Sequence, residues 1–290
     1  MTAFIILIFN MWYNNTVKAV TIMLWNAEDK EIEINGEKTY YISFGNGNKP
    51  LIIIPGLGDG LKDVRGIAIP MAYRYRDFAK EYKVYVLSRK NNLPSSYSTR
   101  QMAEDIYNIM SELKIDKAHI LGISMGGMIA QFLAIDHPEC IDKLILAVTL
   151  SKPNNVCLNL LDRWIKLANN NDYESLMFDS AVNSYSYRYL WKNRTLLYLS
   201  TQIGDPHDFS RFITLANACR THNAYNELYK IKCPVLIIGG KNDKIVTGCA
   251  SYEIAEKIHG CKLLMHNKYG HALYDEADDF SKKIIEFLKD

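Results

Sequence analysis

Six short apolar runs, "PLIII", "KVYVLS", "HILGI", "DKLILAVTL", "PVLIIGG" and "KLLMH", recur along most of the chain's 290 residues. Stretches with helical spacing separate most of them. Runs this apolar and this rich in β-branched side chains read as strands buried on both faces. Alternation of such strands with helices predicts an α/β fold: a mostly parallel, eight-stranded-type sheet with helices on both faces. "KEIEI" and "KTYYISF" flank Asn35-Gly36 and predict an opening hairpin, which adds an antiparallel edge.

Helical patterns follow the strands. Residues 61–81 read as mostly helical despite Pro70. In "STRQMAEDIYNIMSEL", Met102, Ile106, Ile109, Met110 and Leu113 fall on one helical face behind a capping hydroxyl. "MGGMIAQFLAI" reads as a helix ending near Pro138, and Phe280, Ile284, Ile285, Phe287 and Leu288 form the apolar face of a last helix.

The alternation lapses between Ser151 and Lys230, where helical patterns carry many aromatics and no long apolar strand occurs. This middle stretch reads as a helical cap inserted between two strands of one sheet. The expected organisation is an N-terminal apolar extension over residues 1–22, a core over 23–150 and 231–290, and a cap over 151–230. The extension contains "AFIILIF", too short to span a bilayer and without the basic start of a secretory signal. It reads as a tail beyond the domain, an interfacial anchor or a packed extra segment.

Charge excludes some partners. The formal net charge is +2 and the basic residues form no run, so nothing marks nucleic acid or an anionic membrane as the main partner. The expected partner is a small-molecule acyl substrate, with no nucleic acid and no stable membrane insertion. The six cysteines form no C-x-x-C pair and read as reduced, mostly buried thiols, which implies a cytoplasmic protein.

Gly122-Ile123-Ser124-Met125-Gly126 is a G-x-S-x-G motif between a predicted strand and a predicted helix. Such a turn holds the serine in a strained conformation and exposes its hydroxyl at a helix N-terminus, where negative charge is favoured. Gly127 lets the helix pack closely. A serine hydroxyl needs a base. Of seven histidines, His271 alone lies in the loop after the last strand, where it can reach Ser124. The imidazole in turn needs an orienting carboxylate. Asp243 follows "PVLIIGG", whereas the loop after "LILAVTL" reads Ser151-Lys152-Pro153-Asn154 and holds no acid. An oxyanion needs two donors. The N–H of Met125 and that of Leu57, in Pro55-Gly56-Leu57-Gly58-Asp59-Gly60, are the candidates. No cofactor or metal is implied: "PGLGDG" lacks the G-K-S/T of a phosphate loop.

The order Ser124, Asp243, His271 on an interrupted α/β sheet resembles the α/β-hydrolase superfamily. "GISMGGMIAQ", "PVLIIGGKNDKIV" and "GHALYDEADDF" are similar to its elbow, acid loop and histidine loop, and the likeness runs from about Glu31 to Asp290. Two positions depart from it. Pro55-Gly56 stands where members often have His-Gly, and Met125 where aminopeptidase-like members tend to have tryptophan. The resemblance implies a serine hydrolase, carboxylesterase-like, acting on a small or medium apolar ester, lactone or thioester. Carbon–carbon bond hydrolysis by the same triad and a ligand-binding homologue with negligible turnover are the alternatives. Members that use an aspartate nucleophile are disfavoured by Ser124.

Overall fold

The computed structural model describes residues 25–34, 36–202 and 208–290. The apolar extension, Asn35 of the hairpin turn and His207 lie outside the described residues.

Eight strands form one sheet: β1 (Glu28–Ile34), β2 (Glu37–Phe44), β3 (Lys49–Ile54), β4 (Tyr82–Leu87), β5 (Ala118–Ile123), β6 (Ile141–Ala147), β7 (Val235–Gly240) and β8 (Lys262–His266). The spatial order is β1-β2-β4-β3-β5-β6-β7-β8. β1 pairs antiparallel with β2, and β2 with β4; every pairing from β4 through β8 is parallel. Ile34 opposes Glu37, so the hairpin closes over the expected two positions.

The helices are α1 (Ala68–Arg74), α2 (Arg76–Ala79), α3 (Thr99–Glu112), α4 (Met125–Asp136), α5 (Asn155–Asn169), α6 (Tyr173–Ser184), α7 (Tyr187–Gln202), α8 (Ser210–Thr221), α9 (Gly248–Lys257), α10 (Leu273–Glu276) and α11 (Phe280–Lys289). Period-two alternation sends neighbouring strand residues to opposite cores. Leu51 and Ile53 pack with Ala72 of α1, Phe78 of α2 and Ile284 of α11. Ile52 and Ile54 pack with Met102 of α3, Ile129 of α4 and Ile254 of α9. Both faces of the sheet are therefore covered, and its central strands are mainly apolar, as a two-sided burial demands.

Ser98 caps α3 with a reciprocal box. Its Oγ accepts from the Gln101 N–H at 3.2 Å, and the Gln101 side chain accepts from the Ser98 N–H at 2.8 Å. Residues 61–81 are less helical than their composition predicts. α1 starts only at Ala68, after Gly66 at φ +76°, which puts Pro70 in the first turn. There its missing N–H has no intrahelical role to lose.

Among the described residues, the four α-helices α5 to α8 lie between β6 and β7. They form the insert over the C-terminal ends of the parallel strands, where sheets of this type bind ligands.

Candidate active site

Three loops leave the same edge of the sheet after β5, β7 and β8 and carry Ser124, Asp243 and His271. The structure brings all three together. His271 Nε2 lies 2.9 Å from Ser124 Oγ, and His271 Nδ1 lies 2.8 Å from Asp243 Oδ2. With its proton on Nδ1, the ring donates to Asp243 and leaves Nε2 to accept from the serine hydroxyl. Asp243 is fixed from its other side: Oδ1 accepts the N–H groups of Ile245 at 2.8 Å and Val246 at 2.9 Å. Both Asp243 and His271 are buried. The acid and histidine loops are also bonded to each other, by Asn242 N–H to the Tyr269 carbonyl at 3.1 Å.

Ser124 adopts φ +55°, ψ −120°, a region costly for a residue with a Cβ. Its backbone is held from both sides. Its N–H donates to the Ala147 carbonyl at 2.9 Å, and its carbonyl accepts from Thr149 Oγ1 at 2.7 Å. The surrounding glycines follow from close approach. A Cβ on Gly122 would sit 2.6 Å from the Gly126 carbonyl oxygen, one on Gly126 1.9 Å from that of Ile54, and one on Gly127 2.6 Å from Thr149 Cβ. Only the first collision lies across the turn itself. The other two are with β3 and with the end of β6, neither of which is near in sequence.

Met125 opens α4, so its N–H has no acceptor within the helix, and Ser124 sits at the positive end of the helix dipole. Leu57 begins a short 3₁₀ turn, Leu57–Gly60. The Gly56 carbonyl accepts from Asp59 N–H at 3.3 Å and so faces into that turn. Across the same trans peptide plane, the Leu57 N–H points the opposite way. A Cβ on Gly56 would lie 3.7 Å from Ser124 Oγ, so this loop runs directly past the hydroxyl.

The sequence reading missed what clamps that loop. Asp59 is buried and accepts from Ser88 Oγ, from the Arg89 N–H at 3.1 Å and from Arg211 of α8 at 2.8 Å. The buried Arg89 guanidinium donates to the Pro55 carbonyl. Burial pushes the Arg89 guanidinium below its ordinary value, and Asp59 partly restores it. A carboxylate within a glycine-rich loop and a cation directly after a buried strand were the available signals. A second clamp joins the cap to the histidine loop. Tyr185 donates to Asp275 Oδ2 at 2.9 Å, Asp275 pairs with Arg74, and the Ala272 N–H donates to the Ser184 carbonyl at 2.9 Å.

Ser124, Met125, Leu57 and His271 line the floor of a cavity of about 1150 Å³ between core and cap. Its walls are mainly apolar, with Ile123 and Met128 from the core and Trp164, Leu190 and Leu197 from the cap. Cys157 also lines it, but burial pushes its thiol up to about 12, so it stays protonated and does not compete with the serine. Among the described residues, no three His, Cys, Asp or Glu side chains are grouped to hold a metal. The other histidines among the described residues lie elsewhere. His222 is buried between Thr99 and Gln131, and His137 bonds Glu104 at 2.8 Å.

A serine on a strained strand-to-helix turn thus meets a histidine and an aspartate carried by the loops after β8 and β7 of the same sheet. The family model for the alpha/beta hydrolase fold matches residues 49–278, and the chain belongs to that family. It is similar to a protein from Rhizobium rhizogenes named "Putative carbamate hydrolase RutD", with 26% identity over 205 residues, 68% of this chain and 77% of the relative. Among solved structures it resembles the enol-lactonase of Burkholderia xenovorans, with a TM-score of 0.78 and 21% identity over 90% of this chain and 100% of that one. It also resembles an esterase of Exiguobacterium antarcticum, with a TM-score of 0.72 and 20% identity over 91% of this chain and 100% of that one.

Proposed function

We propose that the protein is a serine hydrolase that cleaves a small or medium, mainly apolar acyl substrate, such as a carboxylic ester, lactone or thioester, through an acyl-enzyme. The observation that carries this reading is the continuous relay from Asp243 through His271 to Ser124 at the floor of the apolar cavity.

Ser124 Oγ attacks the acyl carbonyl carbon while His271 Nε2 takes its proton. The carbonyl oxygen becomes an oxyanion between the N–H groups of Leu57 and Met125, aided by the α4 dipole. Asp243 stabilises the imidazolium and holds its orientation. Collapse breaks the bond to the leaving group, which takes the proton from His271. A water molecule then gives a proton to His271 and attacks the acyl-enzyme. The carboxylic acid leaves and Ser124 recovers its hydrogen. The names of an enol-lactonase and an esterase among proteins of this fold, and of a carbamate hydrolase among the sequence relatives, agree with attack at a carbonyl.

A fluorophosphonate probe tests the proposal. Ser124 becomes labelled in the folded protein, and chromogenic esters of graded chain length are hydrolysed. Ser124→Ala loses at least about 10³-fold in rate with its fold retained. Folded protein that leaves Ser124 unlabelled sinks the reading. Labelling with rapid turnover only of diketone-type substrates replaces ester cleavage by carbon–carbon hydrolysis.

A further inference from the structure

The outer surface of the cap is the reverse of an ordinary solvated helix face. Half of the large apolar side chains that are exposed among the described residues sit on α6 and α7: Phe178, Val182, Tyr187, Trp191 and Tyr198. At about 100° per residue, Tyr187, Trp191, Arg194 and Tyr198 share one outward arc of about 60° on α7. Tyr187 is 82% exposed, Trp191 62% and Tyr198 60%. The exposed Arg188 and Lys192 lie beyond one edge of that arc, about 60° and about 100° from Trp191. Tyr189, about opposite that arc, stacks on Tyr185 at 4.5 Å, while Leu190 and Leu197, about a quarter-turn from its centre, line the cavity. Helix α7, "YRYLWKNRTLLYLSTQ", carries three cations and no carboxylate.

Exposed aromatics interleaved with cations are the composition of a helix that lies in a membrane interface. The rings sit at headgroup level and the basic side chains attract anionic lipid. The near-zero charge of the whole chain conceals this excess on α7; α6 brings the apolar Phe178 and Val182 but also Glu174 and Asp179, the latter paired with Arg163. The patch is also continuous with the cavity, because Phe178, Val182, Arg194 and Tyr198 are both exposed and part of its lining. A protein seated there would cover this rim of the cavity, whereas a bilayer would deliver an amphiphile to it. No helix among the described residues is long and apolar enough to cross a membrane, so attachment through this face is peripheral.

We propose that the outer face of α6 and α7 docks on an anionic lipid bilayer, and that the substrate is the acyl ester of a membrane-borne amphiphile. The substrate half of this proposal rests on the serine-hydrolase reading; the docking half does not. Hydrolysis converts one ester bond and one water into a carboxylic acid and an alcohol, with no other reactant.

The test uses the full chain and two double variants, Tyr187→Ser with Trp191→Ser and Arg188→Glu with Lys192→Glu. None of these four side chains lines the cavity. Each protein is sedimented with vesicles of phosphatidylcholine alone or with added phosphatidylglycerol, after circular dichroism has verified its fold. A single Lys192→Glu variant stands in for any double variant that misfolds. The parent protein binds the phosphatidylglycerol vesicles, and salt weakens that binding. The charge variant binds at least about 25-fold more weakly, at about fivefold per cation lost, and the aromatic variant, which loses two interfacial rings, at least about tenfold more weakly. Hydrolysis of a water-soluble short-chain ester is unchanged in the variants, while hydrolysis of a vesicle-borne ester falls with binding. Equal vesicle binding by parent and variants overturns the proposal, since residues 1–22 are common to all of them. So does a parent that binds neither vesicle, or variants that lose self-association instead of lipid. Vesicle binding that follows the variants in a protein that hydrolyses no ester and leaves Ser124 unlabelled sinks the hydrolase reading and leaves the docking surface standing.

Discussion

Arg211 Nη2, on the last helix of the cap, donates to Asp59 Oδ2 at 2.8 Å across 152 positions of sequence. The same guanidinium donates through Nε to the Asp59 carbonyl at 3.1 Å and through Nη2 to the Arg89 carbonyl at 3.0 Å. One side chain therefore holds the cap, the end of β4 and the loop that passes Ser124. Arg211→Met leaves a buried carboxylate with one fewer charged partner and is expected to cost about 3 kcal/mol. The urea midpoint should fall at constant slope. With the Leu57 loop loosened, kcat on a short-chain ester should fall further than KM rises. Arg211→Lys should recover little of either, because an ammonium cannot donate to these acceptors and the Lys90 carbonyl, four in all, in the geometry of the planar fork. An unchanged midpoint in Arg211→Met would remove this residue from the account.

The sheet and the Ser124, Asp243 and His271 loops were legible in the sequence because each rests on a local pattern. Strands such as "PLIII" announce burial on both faces, and a loop position follows from the strand before it. Asp59, Ser88, Arg89 and Arg211 were not legible, because their meaning is a meeting of three distant segments. Asp59 stands in the sequence as one position of a glycine-rich loop, and nothing near Arg211 in sequence singles it out. Gly126 was legible as the closing glycine of the motif, but its closest obstacle, the Ile54 carbonyl, belongs to β3. The late start of α1 was hidden because the composition of residues 61–67 does not forbid a helix; Gly66 in the left-handed region ends that possibility.

Asp243→Asn separates orientation from folding. An asparagine oxygen can still accept the N–H groups of Ile245 and Val246, which hold the acid loop. Its amide NH₂ then faces His271 Nδ1 and donates where the carboxylate accepted, which puts the ring in the wrong tautomer for Nε2 to act as base. The expected outcome is a melting temperature within a few degrees of the parent and kcat lower by about 10⁴-fold. An Asn variant that keeps a tenth of the parent rate would show that Asp243 does not orient the base.

His222 predicts how the protein responds to acid. It lies buried with Nδ1 2.9 Å from Thr99 Oγ1, and burial pushes its imidazole down from 6.5 to about 3. Below about pH 6.5 the unfolded chain protonates this ring while the folded chain keeps it neutral, so unfolding takes up a proton. The stability intact above that pH is lost progressively as the pH falls toward the folded value, at about 1.4 kcal/mol per pH unit. Urea unfolding of the parent and of His222→Asn at about pH 7.5 and about pH 5 isolates this contribution. The parent should lose more stability between the two than the variant does. Parallel losses would assign the acid sensitivity to other groups.

Two glycines near Ser124 should respond oppositely to the same added methyl group. On Gly126 the new Cβ meets the Ile54 carbonyl oxygen at 1.9 Å, a backbone atom of a central strand with nowhere to move. Gly126→Ala is therefore expected to destabilise by about 3 kcal/mol or more, visible as a lowered midpoint or loss of folded protein. On Gly56 the nearest atom is Ser124 Cβ at 3.3 Å, with Oγ at 3.7 Å, and the backbone at φ −75°, ψ −164° accepts any residue. Gly56→Ala should keep its stability within about 1 kcal/mol, because the contact needs only a few tenths of an ångström of adjustment. The methyl group instead stands beside the serine hydroxyl, where the tetrahedral intermediate must form, and kcat should fall by about tenfold or more. Gly56→Ala with full activity would mean that the loop carrying Leu57 does not border the reacting carbon, and the second oxyanion donor would have to be sought elsewhere.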